Sequence, residues 1–406
     1  MKLSVCRVLF VAFAISALTA ALAQDMAPPV PQKLVVHSNI LNEDRTIWVR
    51  TPHGYELGKD VLPVLYLTDG DGHINEIGNS IDFLVDNGRM PSLIVVGIAN
   101  TDRTRDLTPT HSDEKDSAGK ETSPTSGGGD RFFDFIHTEL MPEIEKRYRT
   151  APYRIFAGHS LGGLMAIHIL TSRPDMFQAY IAVSPSLWWE KQTTLHQAQA
   201  FFAAHDELNK TLFFSLGNEG TNMQAGFDGL NKTLTARAPK DFHWESARFP
   251  DENHGSTVLR AHYAALRSIF AGWEMPRDDN GMPIGGMNGI EQHYRELSHT
   301  YGYTVPVPEN LINNLGYRLM GDKKIEEAIA AFQRNVALYP GSANVYDSLA
   351  DGYESAGKLN LALQNCQKAV EVGTKTNDKN LDQFKDHLKH VTENVKAAGA
   401  KATGQK

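Results

Sequence analysis

Cysteine is nearly absent from this chain: Cys6 and Cys366 are the whole supply in 406 residues. Cys6 falls in a segment that reads as a removable leader, so the mature chain is expected to hold no internal disulfide and to rest on its core alone. No group of Cys and His stands at metal-site spacing and no Gly-x-x-x-x-Gly-Lys loop occurs, so neither metal nor cofactor is expected. Positive net charge is missing too. The formal charge is -8, which argues against nucleic acid or an anionic membrane as partner. Apolar runs of spanning length are also lacking: Val8 to Ala20 is the longest candidate, short of the roughly 18 residues a membrane helix needs.

That run lies between Lys2 and Arg7 on one side and Ala21-Leu22-Ala23 on the other. A basic start, an apolar stretch and a small-x-small site are the parts of a secretory signal peptide cleaved after Ala23, and an uncleaved anchor is the alternative. A periplasmic or secreted protein follows as the expectation. Losing residues 1 to 23 removes Lys2 and Arg7 and no acid, which takes the charge from -8 to -10.

The most informative stretch is Gly158-His159-Ser160-Leu161-Gly162-Gly163, with an apolar run before it and the apolar-rich Leu164 to Leu170 after it. Strand, sharp turn and helix with Ser at the apex make the nucleophile elbow of α/β-hydrolases, where small flanking residues let the backbone bend. A Gly-x-Ser-x-Gly turns up by chance in roughly one chain of this length in ten at ordinary glycine usage. Context therefore has to carry the assignment.

The context agrees. Lys33 to Asn39 and Arg45 to Thr51 read as an antiparallel hairpin at a sheet edge, and Val61 to Thr68 as a strand buried on both faces, ending in the turn Asp69 to Gly72. Leu93 to Ile98 is another buried strand, His111 to Asp130 a mobile surface loop, and Arg131 to Tyr148 an amphipathic helix. After the elbow, strands at Ala179 to Val183, Thr211 to Leu216 and His243 to Phe249 alternate with helices near Lys191 to Ala204, Met223 to Arg237 and Val258 to Trp273. The fold class is α/β, a mostly parallel sheet with helices on both faces, over 33–274.

Pro276 to Gly289 is rich in Gly, Pro, Asn and Met and reads as a linker, within a bridging segment 275–306. Beyond it Leu315-Gly316, Ala328 and Phe332 recur thirty-four residues later as Leu349-Ala350, Ala362 and Cys366. This is the tetratricopeptide period, and it predicts a small all-α module over 307–398, two helix pairs and a capping helix from Asn380 to Ala398. Cys366 reads as a small buried hydrophobe. A protein partner or a homodimer through these repeats is expected.

A serine hydroxyl needs a base, and the base an acid that fixes its tautomer. Hydrolases of this fold present them in the order Ser, acid, His. Ser160, Glu219 and His254 obey that order, with Asp228 and Glu252 as competitors for the acid and a Ser-His dyad as a further alternative. His159 reads as packing under the turn. The oxyanion donors are expected to be the backbone N–H groups of Leu161 and Asp71. Trp188 or Trp189 is a candidate wall for a substrate ring and Arg103 a candidate for an anionic group, with packing and a solvated charge as the plainer readings.

Leu65-Tyr66-Leu67-Thr68-Asp69-Gly70, the elbow, Ser184-Pro185-Ser186-Leu187-Trp188-Trp189 and His254-Gly255-Ser256 together resemble the esterase D or enterochelin-esterase-like branch of the α/β-hydrolases. The resemblance covers Leu34 to Trp273. It implies hydrolysis of siderophore trilactones or other carboxylic esters, with Ser160 and His254 as nucleophile and base and the Asp71 N–H as an oxyanion donor. An exported serine esterase acting on a small-molecule ester is the leading expectation. An acyltransferase sharing the same triad and a non-catalytic tetratricopeptide scaffold on a hydrolase fold are the alternatives.

Overall fold

The computed structural model describes residues 29–56 and 58–403; the expected leader, with Cys6 in it, lies outside them. The chain divides into two compact units, Met1–Glu274 and Met275–Lys406.

The first unit is built on eight strands, β1 (Gln32–Ser38), β2 (Glu43–Arg50), β3 (Leu62–Leu67), β4 (Ile94–Ile98), β5 (Thr150–His159), β6 (Ala179–Val183), β7 (Glu207–Gly217) and β8 (Lys240–Phe249). They lie in the order β1-β2-β4-β3-β5-β6-β7-β8. The edge hairpin β1–β2 and its junction with β4 are antiparallel, and the other pairings are parallel. β4 and β6 are buried at every residue, as central parallel strands covered on both faces must be. From β3 the chain winds first toward β4 and then back to β5 on the other side. That reversal is a topological switch point, and ligands of such sheets collect at the carboxyl ends of the strands beside it, here β3 and β5.

Helices cover the sheet: α1 (Gly70–Asp86), the short α2 (Arg103–Asp106), α3 (Gly129–Phe135), α4 (Met141–Arg147), α5 (Leu161–Ser172), α6 (Trp189–Ala204), α7 (Thr221–Arg237) and α8 (Thr257–Ile269). Two of these revise the sequence reading. The run from Asp69 to Gly72 is the start of a helix and not a free turn: Asp69 alone is left-handed, at φ 54°, and α1 begins at Gly70. The buried face of α1, Ile74, Ile77, Ile81 and Leu84, has helical spacing that the sequence reading passed over. The helix expected from Arg131 to Tyr148 is interrupted by a π turn, Ile136–Leu140. Pro142 follows it; a proline inside a helix lacks the N–H and crowds the preceding turn, and the wider turn relieves that clash.

The loop between α2 and α3 is anchored at its ends, while Asp113 to Lys120 are exposed. Arg45, 1% exposed, donates to Asp106 at 2.6 Å, Glu43 at 2.8 Å and the Ala99 carbonyl at 3.1 Å. Arg105 closes the network on Asp106 and Glu43. Further along, Ser112 and Ser126 are buried and bonded to each other.

The second unit is helical: α9 (Gly286–Tyr301), α10 (Glu309–Gly321), α11 (Ile325–Leu338), α12 (Ala343–Ser355), α13 (Leu359–Thr376) and α14 (Leu381–Thr403). Successive helices pack on one another from α10 to α14. Gly316 admits the Phe332 ring, which a Cβ would overlap at 2.3 Å. Residues one thirty-four-residue period apart, Gly316 and Ala350, Ala328 and Ala362, Phe332 and Cys366, are all buried. Among the described residues no helix is long and apolar enough to cross a membrane.

A Cβ on Gly158 would lie 2.4 Å from the backbone of Gly162. Gly158→Ala is therefore expected to destabilise the first unit by about 3 kcal/mol or more. Gly72, in α1, has open space around its Cβ position, so Gly72→Ala should leave stability unchanged or raise it by up to about 1 kcal/mol. Urea unfolding midpoints of the two variants check the contrast.

Candidate active site

Ser160 sits between β5 and α5 with φ 60° and ψ -113°, a strained conformation for a residue with a side chain, costing about 1–3 kcal/mol. The surroundings hold it there. Its N–H donates to the Val183 carbonyl at 2.9 Å, and its carbonyl accepts from Ser186 N–H at 3.1 Å and Leu164 N–H at 2.9 Å. Gly163 lets the turn lie against the end of β6, where a Cβ would meet the Val183 carbonyl at 2.9 Å. The Ser160 hydroxyl is bonded to the buried Ser186 hydroxyl at 3.2 Å.

Glu219, after β7, reaches His254, after β8: Oε2 lies 2.5 Å from Nδ1. A carboxylate only accepts, so Nδ1 carries the proton and Nε2 is left with its lone pair. The Glu219 side chain is 4% exposed. Its other oxygen accepts from the Ser184 hydroxyl at 2.5 Å and the Gly217 N–H at 3.0 Å. Burial alone would raise this carboxyl, but the hydrogen bonds from His254, Ser184 and Gly217 outweigh it and hold it below the usual range. The competitors stand elsewhere: Asp228 pairs with Arg248, and Glu252 accepts from Ser256 and Arg260.

His159 supports His254 from beneath. Its Nε2–H donates to the His254 carbonyl at 2.8 Å, and the two rings lie 4.5 Å apart at their centres. Burial first, then the neighbouring His254 and His73, lower His159 to about 4, so it is neutral near pH 7. Behind it stands a group the sequence reading missed. His73 lies between His159 and His262, 6.0 and 6.2 Å from them, and Glu76 meets His262 Nδ1 at 2.9 Å. The three positions are spread over α1 and α8, and no local spacing marks them.

The first turn of α5 lies against the residues that lead into α1, since a Cβ on Gly162 would meet Thr68 Oγ1 at 2.3 Å and Asp69 Oδ2 at 3.8 Å. Leu161 and Asp71 occupy the first turns of α5 and α1, where a helix leaves its N–H groups without intrahelical acceptors and its dipole favours a negative charge. Arg103 is engaged as a brace: its guanidinium holds Asp69 at 2.7 and 3.0 Å and reaches the His159 carbonyl at 3.2 Å. Asn100 donates to the same Asp69 oxygen at 2.6 Å. Of the paired tryptophans, Trp189 is 6% exposed with its indole N–H on the Thr110 carbonyl, whereas Trp188 is 37% exposed and donates to Met223 Sδ at 3.1 Å. Ser184 and Ser186, the polar members of the Ser-Pro-Ser-Leu-Trp-Trp motif, reach Glu219 and Ser160, contacts that the motif's spacing does not reveal.

Comparison with known proteins places this arrangement. Residues 38–256 match the family model Esterase, described as "Putative esterase". The chain is 31% identical over 229 residues, 50% of its length and 78% of the relative's, to the ferri-bacillibactin esterase BesA of Bacillus subtilis. It is 35% identical over 127 residues, 27% of this chain and 41% of the relative, to a siderophore enterobactin esterase of Emericella nidulans. A crystal structure of an IroE-like serine hydrolase from Shewanella oneidensis superposes with a TM-score of 0.64 at 28% identity, covering 72% of this chain and 95% of that one. An uncharacterised protein from Capnocytophaga ochracea shares the fold over 89% of this chain and 99% of its own, with a TM-score of 0.59 at 16% identity.

Glu76 carries a pH prediction. Burial would raise it, but hydrogen bonds from His262 and His73 hold it at about 2, below the ordinary 4.5. A depressed acid contributes stability that is fully present above pH 4.5 and is lost as pH falls toward 2. Glu76→Gln should therefore remove up to about 3 kcal/mol at neutral pH and little near pH 2. Urea midpoints of both proteins across that window should converge; a constant gap would contradict the assignment.

Proposed function

The chain belongs to the Esterase family and is a carboxylic ester hydrolase, and from that premise we propose that it works as an exported serine esterase through an acyl-enzyme on Ser160. The observation that most supports this is the His254–Glu219 pair at 2.5 Å, on the loop that His159 ties to the elbow.

In this reading Ser160 Oγ attacks the ester carbonyl carbon as His254 Nε2 takes its proton. The carbonyl oxygen becomes an oxyanion held by the N–H groups of Leu161 and Asp71. Collapse breaks the carbon–oxygen bond to the alcohol, which leaves with the proton from His254, and the acyl group stays on Ser160. Water then attacks with His254 as base, and the carboxylic acid departs. Glu219 keeps Nδ1 protonated throughout and stabilises the imidazolium. Arg103 is the positioning residue for the Asp69 turn, from which the Asp71 N–H follows.

We further propose a bulky siderophore-type ester as substrate. Support comes from the names of the relatives, a ferri-bacillibactin esterase and an enterobactin esterase, and from the exposed Trp188 ring two residues beyond Ser186, which could stack on an aromatic acyl group. The helical unit is proposed to be a tetratricopeptide module that docks a protein partner or a second copy.

Ser160→Ala should lower kcat on a chromogenic short-chain ester by at least about 10³-fold and leave the unfolding free energy from urea titration within about 1 kcal/mol of the parent. Unchanged turnover would overturn the serine mechanism. The parent enzyme should show a higher kcat/KM on a siderophore trilactone than on the simple ester; the reverse order would contradict the substrate class while leaving the mechanism standing.

A further inference from the structure

In the second unit three helices bring together residues that the sequence keeps far apart. Asp347 and Asp351 lie on α12 with Glu354, Cys366 on α13 and His387 on α14. His387 Nδ1 is 2.7 Å from Asp347 Oδ1, and one ligand atom each from Asp347, Cys366 and His387 lies within 4.8 Å of the others. Cys366 is fully buried. On the far side of the ring, Nε2 is buried and has no hydrogen-bond partner, although Asp351 Oδ1 and Glu354 Oε2 stand 3.4 and 3.5 Å away.

We propose that Asp347, Cys366 and His387 bind a zinc ion, with water as the fourth ligand. One thiolate, one imidazole and one carboxylate form a borderline-soft donor set that suits zinc and does not suit calcium or magnesium. Ligand atoms of a tetrahedral zinc lie about 3.4–3.7 Å apart, so closing on the ion takes shifts on the order of 1 Å or less in side chains of adjoining helices.

The surroundings fit a metal-bound histidine. Such a ring donates its other N–H to a carboxylate, which fixes its orientation, and here the orphaned Nε2 faces Asp351 and Glu354. Those carboxylates are themselves held, Asp351 by the Tyr317 hydroxyl at 2.7 Å and Glu354 by the Asn394 amide at 2.8 Å. Without metal, the Nδ1–H of His387 donates to Asp347 at 2.7 Å and takes the place of the ion in this acidic nest. Zinc replaces the Nδ1 proton and the thiol proton of Cys366, and both pass to solvent. Asp347 and the new thiolate neutralise the ion, which then staples α12, α13 and α14 together.

The rival reading is a buried imidazolium ion pair with no metal. The full chain, incubated with zinc and then desalted, should retain one zinc per chain by elemental mass spectrometry and show a raised melting temperature. Loaded with cobalt(II), it should show a thiolate-to-metal charge-transfer band in the near ultraviolet. Cys366→Ala should abolish the band, and Asp347→Asn should weaken zinc binding by about 10–100-fold. His111→Ala, which alters the exposed cluster of His111, Asp113 and Glu121, should change neither. Cobalt binding without the band in the parent protein, or no retained metal, overturns the proposal even if Cys366→Ala fails to fold. Zinc retention unaffected by both ligand substitutions overturns it as well.

Discussion

The close approach of two backbone segments, β5 at Gly158 and the first turn of α5 at Gly162, is the constraint on which the catalytic unit depends. No side chain fits between them: a Cβ on Gly158 would lie 2.4 Å from the Gly162 backbone. With that contact made, the chain must reverse within one residue, and Ser160 takes up its strained φ of 60°. Three backbone hydrogen bonds, to Val183, Leu164 and Ser186, hold the strain in place. The same turn sets the first turn of α5 against Thr68 and Asp69, the residues that lead into α1, and Ser160 stands at the positive end of the α5 dipole.

Electrostatics around the turn follow one logic. Each buried charge is held from several directions, and His159 between them is kept neutral. Glu219 accepts three hydrogen bonds, Asp69 is gripped by Arg103 and Asn100, and Glu76 stands between His73 and His262. His159, packed among these, is held neutral near pH 7 by burial and by its histidine neighbours. A charged ring at that position would repel a positive charge on His254, which the proposed mechanism requires, and neutrality removes that cost.

Much of this was legible in the sequence because it is local. Buried parallel strands announce themselves as apolar runs, Gly-x-Ser-x-Gly as a turn, and Ser160, Glu219 and His254 by their order after successive strands. What was hidden depends on contacts across the fold. Arg103 looks like a loop charge until its partner Asp69, thirty-four residues earlier, is seen. Ser184 and Ser186 look like turn residues until Glu219 and Ser160 arrive beside them. The start of α1 was masked by Asp69-Gly70-Asp71-Gly72, whose composition says turn while its backbone, apart from Asp69, is helical. Asp347, Cys366 and His387 lie 19 and 21 residues apart, a spacing that matches no short metal motif; only the stacking of three helices unites them.

The two units divide the labour in physical terms. The sheet unit stores strain at Ser160 and Ser184, whereas the helical unit packs Gly316 and Gly352 against the Phe332 ring. The central claim concerns the first: Ser160 is the atom donor to the ester carbonyl. Incubation of the protein with a fluorophosphonate, followed by peptide mass spectrometry, tests it most directly. One stoichiometric adduct on the peptide carrying Ser160, formed with loss of ester turnover and absent from the Ser160→Ala variant, is the predicted result. Full loss of turnover with the label on another residue, or persistent turnover with Ser160 fully labelled, would contradict it.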